Sequence, residues 1–120
     1  LILYRDKLPK FNNHGKMVFN CLEWEKDSTS PKIHPTQKPV KLLEQLISIF
    51  TDEGDVVIDP CAGSGSTLIA AHNLGRRGYG FEIKKEFFNA ANEWIESNAM
   101  QGSIFAPAQR GKSFKQTSLL

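Results

Sequence analysis

Residues 55–67, DVVIDPCAGSGST, decide the fold. Val56 to Ile58 form an apolar run with no polar alternation, the pattern of a strand covered on both faces of a parallel sheet. Pro60 to Gly65 make a glycine-containing turn, Ser66 or Thr67 can cap the next helix, and Leu68 to Leu74 form that helix before Gly75 stops it. Strand, tight turn and helix in this order place a ligand site at the carboxyl end of the sheet, where doubly wound folds bind. Gly63 and Gly65 would let the backbone approach the ligand closely.

Downstream, Arg76 and Arg77 lead into a second strand, Tyr79 to Ile83. Lys85 to about Asn98 then carries Phe87, Ala91, Trp94 and Ile95 at the spacing of one helical face. The result is a right-handed βαβα unit. Glu82 ends the second strand, where a carboxylate can accept hydrogen bonds from both hydroxyls of a ribose, so an adenosine-containing ligand is implied. Phosphate-binding patterns fit less well. The Walker pattern needs Lys after its last Gly, and here Ser66 follows Gly65; Leu68 stands where the dinucleotide fingerprint requires its third Gly. Asp59, beside that helix N-terminus, would repel a phosphate but could pair with an ammonium group.

Upstream, Pro39 suits the first position of a helix whose face is Leu43, Leu46, Ile47 and Phe50. Glu25 to Lys38, with Asp27, Ser28, Ser30, Pro31 and Pro35, reads as a loop. Met17 to Trp24 is rich in strand-favouring types and is expected to be a strand. Leu1 to Tyr4 reads as a strand already under way. From Gln101 the chain turns to Gly, Ser, Gln and basic residues, which predicts a mobile or weakly docked tail over 101–120 after one domain over 1–100.

Forty per cent hydrophobic and 23% charged residues are ordinary for a globular protein and exclude a disordered chain. A net charge of +2 is compatible with a nucleic-acid partner without arguing for one. Cys21 and Cys61 stand far apart, with no second pair to make a disulfide framework or zinc site, so a reducing cytoplasm is the expected location. No apolar run approaches the roughly 20 residues of a membrane helix.

HPTQKP at 34–39, DPCAGSGST at 59–67 and GYGFEI at 78–83 together resemble the permuted, or beta-class, DNA amino-methyltransferases. The resemblance implies an α/β fold: the C-terminal part of a Rossmann-like methyltransferase domain, mostly parallel sheet flanked by helices. The cofactor it implies is S-adenosyl-L-methionine. The reaction is DNA modification at the exocyclic amino group of adenine or cytosine, with DNA bound by the complete enzyme, as in restriction-modification systems. By resemblance, Asp59 and the Gly63 to Gly65 turn hold the methionine moiety, Glu82 holds the ribose, and Thr36, Gln37 and Lys38 close the pocket. Pro60, Cys61, Ala62, Ser64, Ser66 and Thr67 complete the cofactor-binding set, and no metal is implied.

The chain departs from the family pattern twice. Cys61 stands where the family has Phe against the cofactor. The family also transfers the methyl group with Asp, Asn or Ser followed by Pro-Pro and an aromatic residue, and no Pro-Pro occurs here. That loop holds the target amino group and stacks on the flipped base, so this chain carries no catalytic residue and is expected to be inactive alone. In the permuted order those parts precede HPTQKP, which reads Leu1 as the start of a truncated portion that needs a longer product or a second polypeptide. The rival class is a non-enzymatic relic or interaction module that self-associates through an exposed sheet edge.

Individual residues also have plainer readings. His34 alone is a loop residue or a local hydrogen-bond partner, Cys61 a small buried residue, and Glu82 a strand-end residue that caps or pairs with Lys84 or Arg77. Arg76, Arg77, Lys84, Lys85, Arg110, Lys112 and Lys115 could contact phosphates, though scattered cations usually form a solvated face.

Overall fold

The computed structural model describes residues 11–19, 21–105 and 115–118. The elements run α1 (Val40–Phe50), β1 (Val56–Asp59), α2 (Ser66–Asn73), β2 (Arg77–Glu82), α3 (Lys85–Phe105) and β3 (Lys115–Ser118). Among the described residues the strands form one parallel sheet in the order β1-β2-β3, with Val57 opposite Gly78 and Asp59 opposite Gly80. The fold is therefore α/β, a small parallel sheet flanked by helices.

Helix α1 begins after Pro39, whose missing N–H costs nothing where no carbonyl is available to receive one. It buries Ile47 and turns Val40 and Leu43 against Ala70 and Ala71 of α2, two fully buried residues small enough for a close helix approach. The other side of α2 carries Leu68 and Ile69 into a cluster with Trp94 and Ile95 of α3. Leu68 fits because β2 has no side chains beneath it. A Cβ on Gly78 would come within 3.1 Å of Leu68, and one on Gly80 within 2.8 Å of Leu68 and 2.9 Å of Ala62. These two glycines admit a leucine whose burial contributes roughly 1.5–3 kcal/mol.

Arg76 ties the helical layer to the start of β2. Its guanidinium donates to Thr51 Oγ1 at 3.0 Å, to the Thr51 carbonyl at 2.7 Å and to the Leu74 carbonyl. An arginine spent on three backbone and hydroxyl acceptors is a structural clasp, which sets it apart from the scattered cations read as a solvated face that could contact phosphates.

Several expectations are corrected. Residues 17–19 and 21–24 form no strand, and Met17 stands 79% exposed. Strand-favouring residues need a neighbouring strand to pair with, and none lies beside them among the described residues. β1 is not covered on both faces: among the described residues it lies at one edge of the sheet, with Val56 43% and Ile58 63% exposed. Helix α2 starts at Ser66 with Gly65 as its cap, and no hydroxyl of Ser66 or Thr67 caps it. On α1, Leu46 lies outside the buried face. Helix α3 runs beyond Asn98 to Phe105, and within the stretch expected as a tail Lys115–Ser118 pair with β2. The strand expected at Leu1 to Tyr4, and residues 106–114 and 119–120 of the tail expected over 101–120, lie outside the described residues. Among the described residues no helix is long and apolar enough to cross a membrane.

Candidate functional site

The site forms where β1 and β2 end side by side and the chain turns between β1 and α2. The Asp59 carboxylate accepts the Cys61 N–H at 3.0 Å, the local bond by which Asp opens a turn. Ala62 N–H donates to the Phe81 carbonyl at 2.9 Å, which anchors the turn to the end of β2. Gly63 and Gly65 both take left-handed conformations, at φ +52° and +80°.

The carboxylate of Glu82 closes the turn from the opposite strand. One oxygen, Oε2, accepts Gly63 N–H at 2.9 Å; the other, Oε1, accepts Lys84 N–H at 2.8 Å. The strand-end carboxylate and the glycine turn, which the sequence puts nineteen positions apart, thus meet in one hydrogen bond. A carboxylate offers about four lone-pair sites, so two backbone donors fix its place and leave acceptor capacity for two hydroxyls. Of the plainer expectation, that Glu82 caps or pairs with Lys84 or Arg77, the structure gives the capping, a bond from the Lys84 backbone.

The role read for Gly65 changes. A Cβ there would lie 2.9 Å from Ile95 Cδ1 and 3.4 Å from Ala91 Cβ, so its smallness serves the packing of α3 under the turn. Ala62, Ser64 and Ser66 are also buried, and the two serine hydroxyls bond to one another at 2.9 Å, which satisfies both in the interior. Pro60 and Cys61 are exposed and Thr67 half-buried, so the reading of Cys61 as a small buried residue is corrected.

The HPTQKP segment folds on itself. Gln37 Oε1 accepts the N–H of Ile33 at 3.0 Å and of His34 at 3.4 Å, and Gln37 Nε2 donates to the Pro31 carbonyl at 2.9 Å. Lys38 Nζ reaches the Thr36 carbonyl at 3.4 Å, and both side chains are exposed. The residue that joins this loop to the glycine turn is His34, which the sequence alone leaves as a loop residue or local hydrogen-bond partner, and which accepts the Thr36 N–H at 3.2 Å. Its ring lies 3.6 Å from the position a Cβ on Gly63 would take and meets Phe87 of α3 edge-on at 4.4 Å. Phe87, expected to be ordinary core, is the surface on which that histidine rests.

A concavity of about 470 Å³ lies away from the glycine turn, between residues 25–30 and helices α1, α2 and α3, over Val40, Ile69 and Trp94. It includes none of the predicted site residues. Asp27 orders its rim by accepting the N–H and hydroxyl groups of Thr29 and Ser30. The bonds from Ser30, then those from Thr29, hold its pKa down at about 2 against the burial that opposes them.

A parallel strand, a left-handed glycine turn and a helix, closed by the next strand's terminal carboxylate, define a Rossmann-like α/β site. The N6/N4 methyltransferase family, described as DNA methylase, matches residues 4–93, and the chain belongs to it. Among curated relatives, the type II methyltransferase M2.DpnII of Streptococcus pneumoniae is 47% identical over 64 residues, covering 53% of this chain and 24% of that protein. M2.LlaDCHI of Lactococcus lactis subsp. cremoris is 35% identical over 102 residues, covering 82% and 38%. The chain thus spans well under half the length of either relative. Among solved structures, the M1.HpyAVI complex with S-adenosyl-L-methionine superposes with a TM-score of 0.68 at 33% identity, covering 76% of this chain and 46% of that one. A DNA modification methylase from Thermus thermophilus, described as putative and also complexed with S-adenosyl-L-methionine, gives 0.52 at 35% identity, covering 66% and 29%.

Proposed function

We propose that this chain is the S-adenosyl-L-methionine-binding portion of a DNA methyltransferase that acts on the exocyclic amino group of adenine or cytosine. Residues 1–100 would be the C-terminal part of a permuted, beta-class domain. The observation that carries this reading is the 2.9 Å bond from Gly63 N–H to Glu82, because it brings the ribose acceptor and the cofactor turn to one place. When bound, S-adenosyl-L-methionine supplies an electrophilic methyl group on a sulfonium centre.

The chain's own residues bind and orient. Glu82 accepts the two ribose hydroxyls while its backbone donors hold it still. Asp59, at the end of β1, pairs with the ammonium group of the methionine moiety, and the backbone of the Gly63 turn lines the path between them. Thr36, Gln37 and Lys38 border the pocket from a loop held in shape by Gln37. The exposed Cys61 leaves room that a phenylalanine would fill. Proton handling at the target base falls to a Pro-Pro loop, which this sequence does not contain.

The complete enzyme therefore combines this portion with that loop, carried on a longer chain or on a second polypeptide. The open apolar side of β1, with Val56 and Ile58 exposed, supports a complementary protein surface there. The same observation favours the alternative of self-association through the β1 edge. Isothermal titration with S-adenosyl-L-homocysteine, ATP and NAD tests the reading. Saturable binding of the first alone supports it; no binding at millimolar concentration, or a preference for a nucleotide phosphate, contradicts it. Sedimentation velocity of the same sample separates a monomer awaiting a partner from a self-associating module.

A further inference from the structure

We propose that His34 is a positioning residue: its neutral imidazole clamps the 34–38 loop onto the glycine turn and so sets the depth of the cofactor pocket. The inference rests on reading that turn as the cofactor site. Three contacts made by one ring carry it. Nδ1 accepts the Thr36 N–H at 3.2 Å and lies 3.1 Å from Thr36 Oγ1. A backbone N–H can only donate, so Nδ1 must be the unprotonated nitrogen and the proton sits on Nε2. The ring edge, through Cγ and Cδ2, faces Gly63, the residue whose N–H Glu82 holds, at 3.6 Å from where a Cβ would stand. The rest of the ring meets Phe87 at 4.4 Å between centroids and 64° between planes, and Lys84 Nζ covers Phe87 at 5.5 Å from its centroid.

The consequence is a mechanical link from the 34–38 loop to the glycine turn and α3, beside the packing of Ile33 on the Leu68, Ile69, Trp94 and Ile95 cluster. Loop shape is set by Nδ1 through Thr36. Loop placement is set by the carbon edge of the ring against Gly63 and Phe87. A methyl group at position 63 would meet this ring at 3.6 Å, an ordinary contact distance, so the turn and the ring lie face to face with room for little more.

Two substitutions separate the functions. His34→Asn keeps an acceptor two residues before Thr36 and loses the ring; His34→Phe keeps the ring and loses the acceptor. Each variant and the wild type are to be measured for hydrogen exchange at the Thr36 amide without ligand, and for S-adenosyl-L-homocysteine affinity by calorimetry. Thermal melts confirm that each variant is folded. Wild type should give the Nε2-protonated tautomer of His34 in long-range proton–nitrogen spectra. His34→Phe should speed Thr36 exchange at least tenfold, His34→Asn should leave it within about threefold, and both should weaken binding about tenfold or more. Wild-type affinity in either folded variant, or an Nδ1-protonated tautomer, overturns the clamp. Failure of the wild type itself to bind would instead overturn the cofactor reading, while the contrast in Thr36 exchange still judges the loop-locking role of His34.

Discussion

Gly65→Ala should destabilise the chain severely, and the structure separates the reasons. At φ +80° an alanine pays the left-handed penalty of roughly 1–2 kcal/mol. Its Cβ would also lie 2.9 Å from Ile95 Cδ1 and 3.4 Å from Ala91 Cβ, an overpacking that costs roughly 1–3 kcal/mol. The sum, about 2–5 kcal/mol, is a large part of the roughly 5–15 kcal/mol that holds a domain folded. It corresponds to a fall in Tm on the order of 10 °C for a domain near this size. Gly63→Ala is the internal control: φ is +52°, and the nearest atoms stand 3.6 Å from the new Cβ, so only the backbone term of about 1–2 kcal/mol applies. Urea unfolding of both variants, compared by midpoint at equal slope, reads the difference. Ile95→Val removes the atom in the way. In the Gly65→Ala background it should cost less than its ordinary ~0.5–1.5 kcal/mol, or restore stability, with a coupling of ~0.5 kcal/mol or more. If Gly65→Ala is no worse than Gly63→Ala, or if Ile95→Val shows no coupling, the packing argument is wrong.

Three further outcomes follow from the geometry. Glu82→Gln replaces a charged acceptor by one that has a single acceptor oxygen and a competing donor; calorimetry should find S-adenosyl-L-homocysteine bound about 10–100-fold more weakly, and unchanged affinity would remove Glu82 from the site. Arg76→Ala takes the guanidinium donor from the Leu74 carbonyl and the Thr51 hydroxyl and leaves the Thr51 carbonyl to Asn12 Nδ2, and it should lower stability by about 1–3 kcal/mol in denaturant titrations, while DNA binding by a reconstituted enzyme stays the same; the reverse pattern would restore Arg76 as a phosphate contact. Asp27, held down from 3.8 to about 2, contributes stability that is complete above pH 3.8 and lost as pH falls through about 2, so acid unfolding of Asp27→Asn should lack the part of the pH dependence in that window, and superimposable curves would contradict this.

The stretch from His34 to Glu82 is readable because its signals are local. An apolar run, a glycine turn and a strand-end carboxylate each declare themselves within a few residues, and the convergence of Glu82 on Gly63 follows from strand order alone. What is not readable depends on partners distant in the chain. The strand expected over Met17 to Trp24 fails because β-propensity is realised only beside another strand. Nothing in the composition of β1 reveals that Val56 and Ile58 lie open, since burial of a strand is decided by what covers it. Gly78 and Gly80 read as part of a motif, whereas their work is to admit Leu68 and Ala62, a fact of packing. The local hydrogen bond of His34 is legible in the sequence and is found at Thr36, whereas its ring's place beside Gly63 and Phe87 is not, because a lone histidine has no period to show what it faces.

Amide spectra of the nitrogen-15-labelled chain, recorded while S-adenosyl-L-homocysteine is added, test the cofactor site most directly. Gly63 and Lys84, which donate to the two oxygens of Glu82, should shift together along one saturation curve, and Glu82→Gln should flatten both. If both signals stay in place while others saturate, the ligand binds somewhere else and the assignment of this site falls.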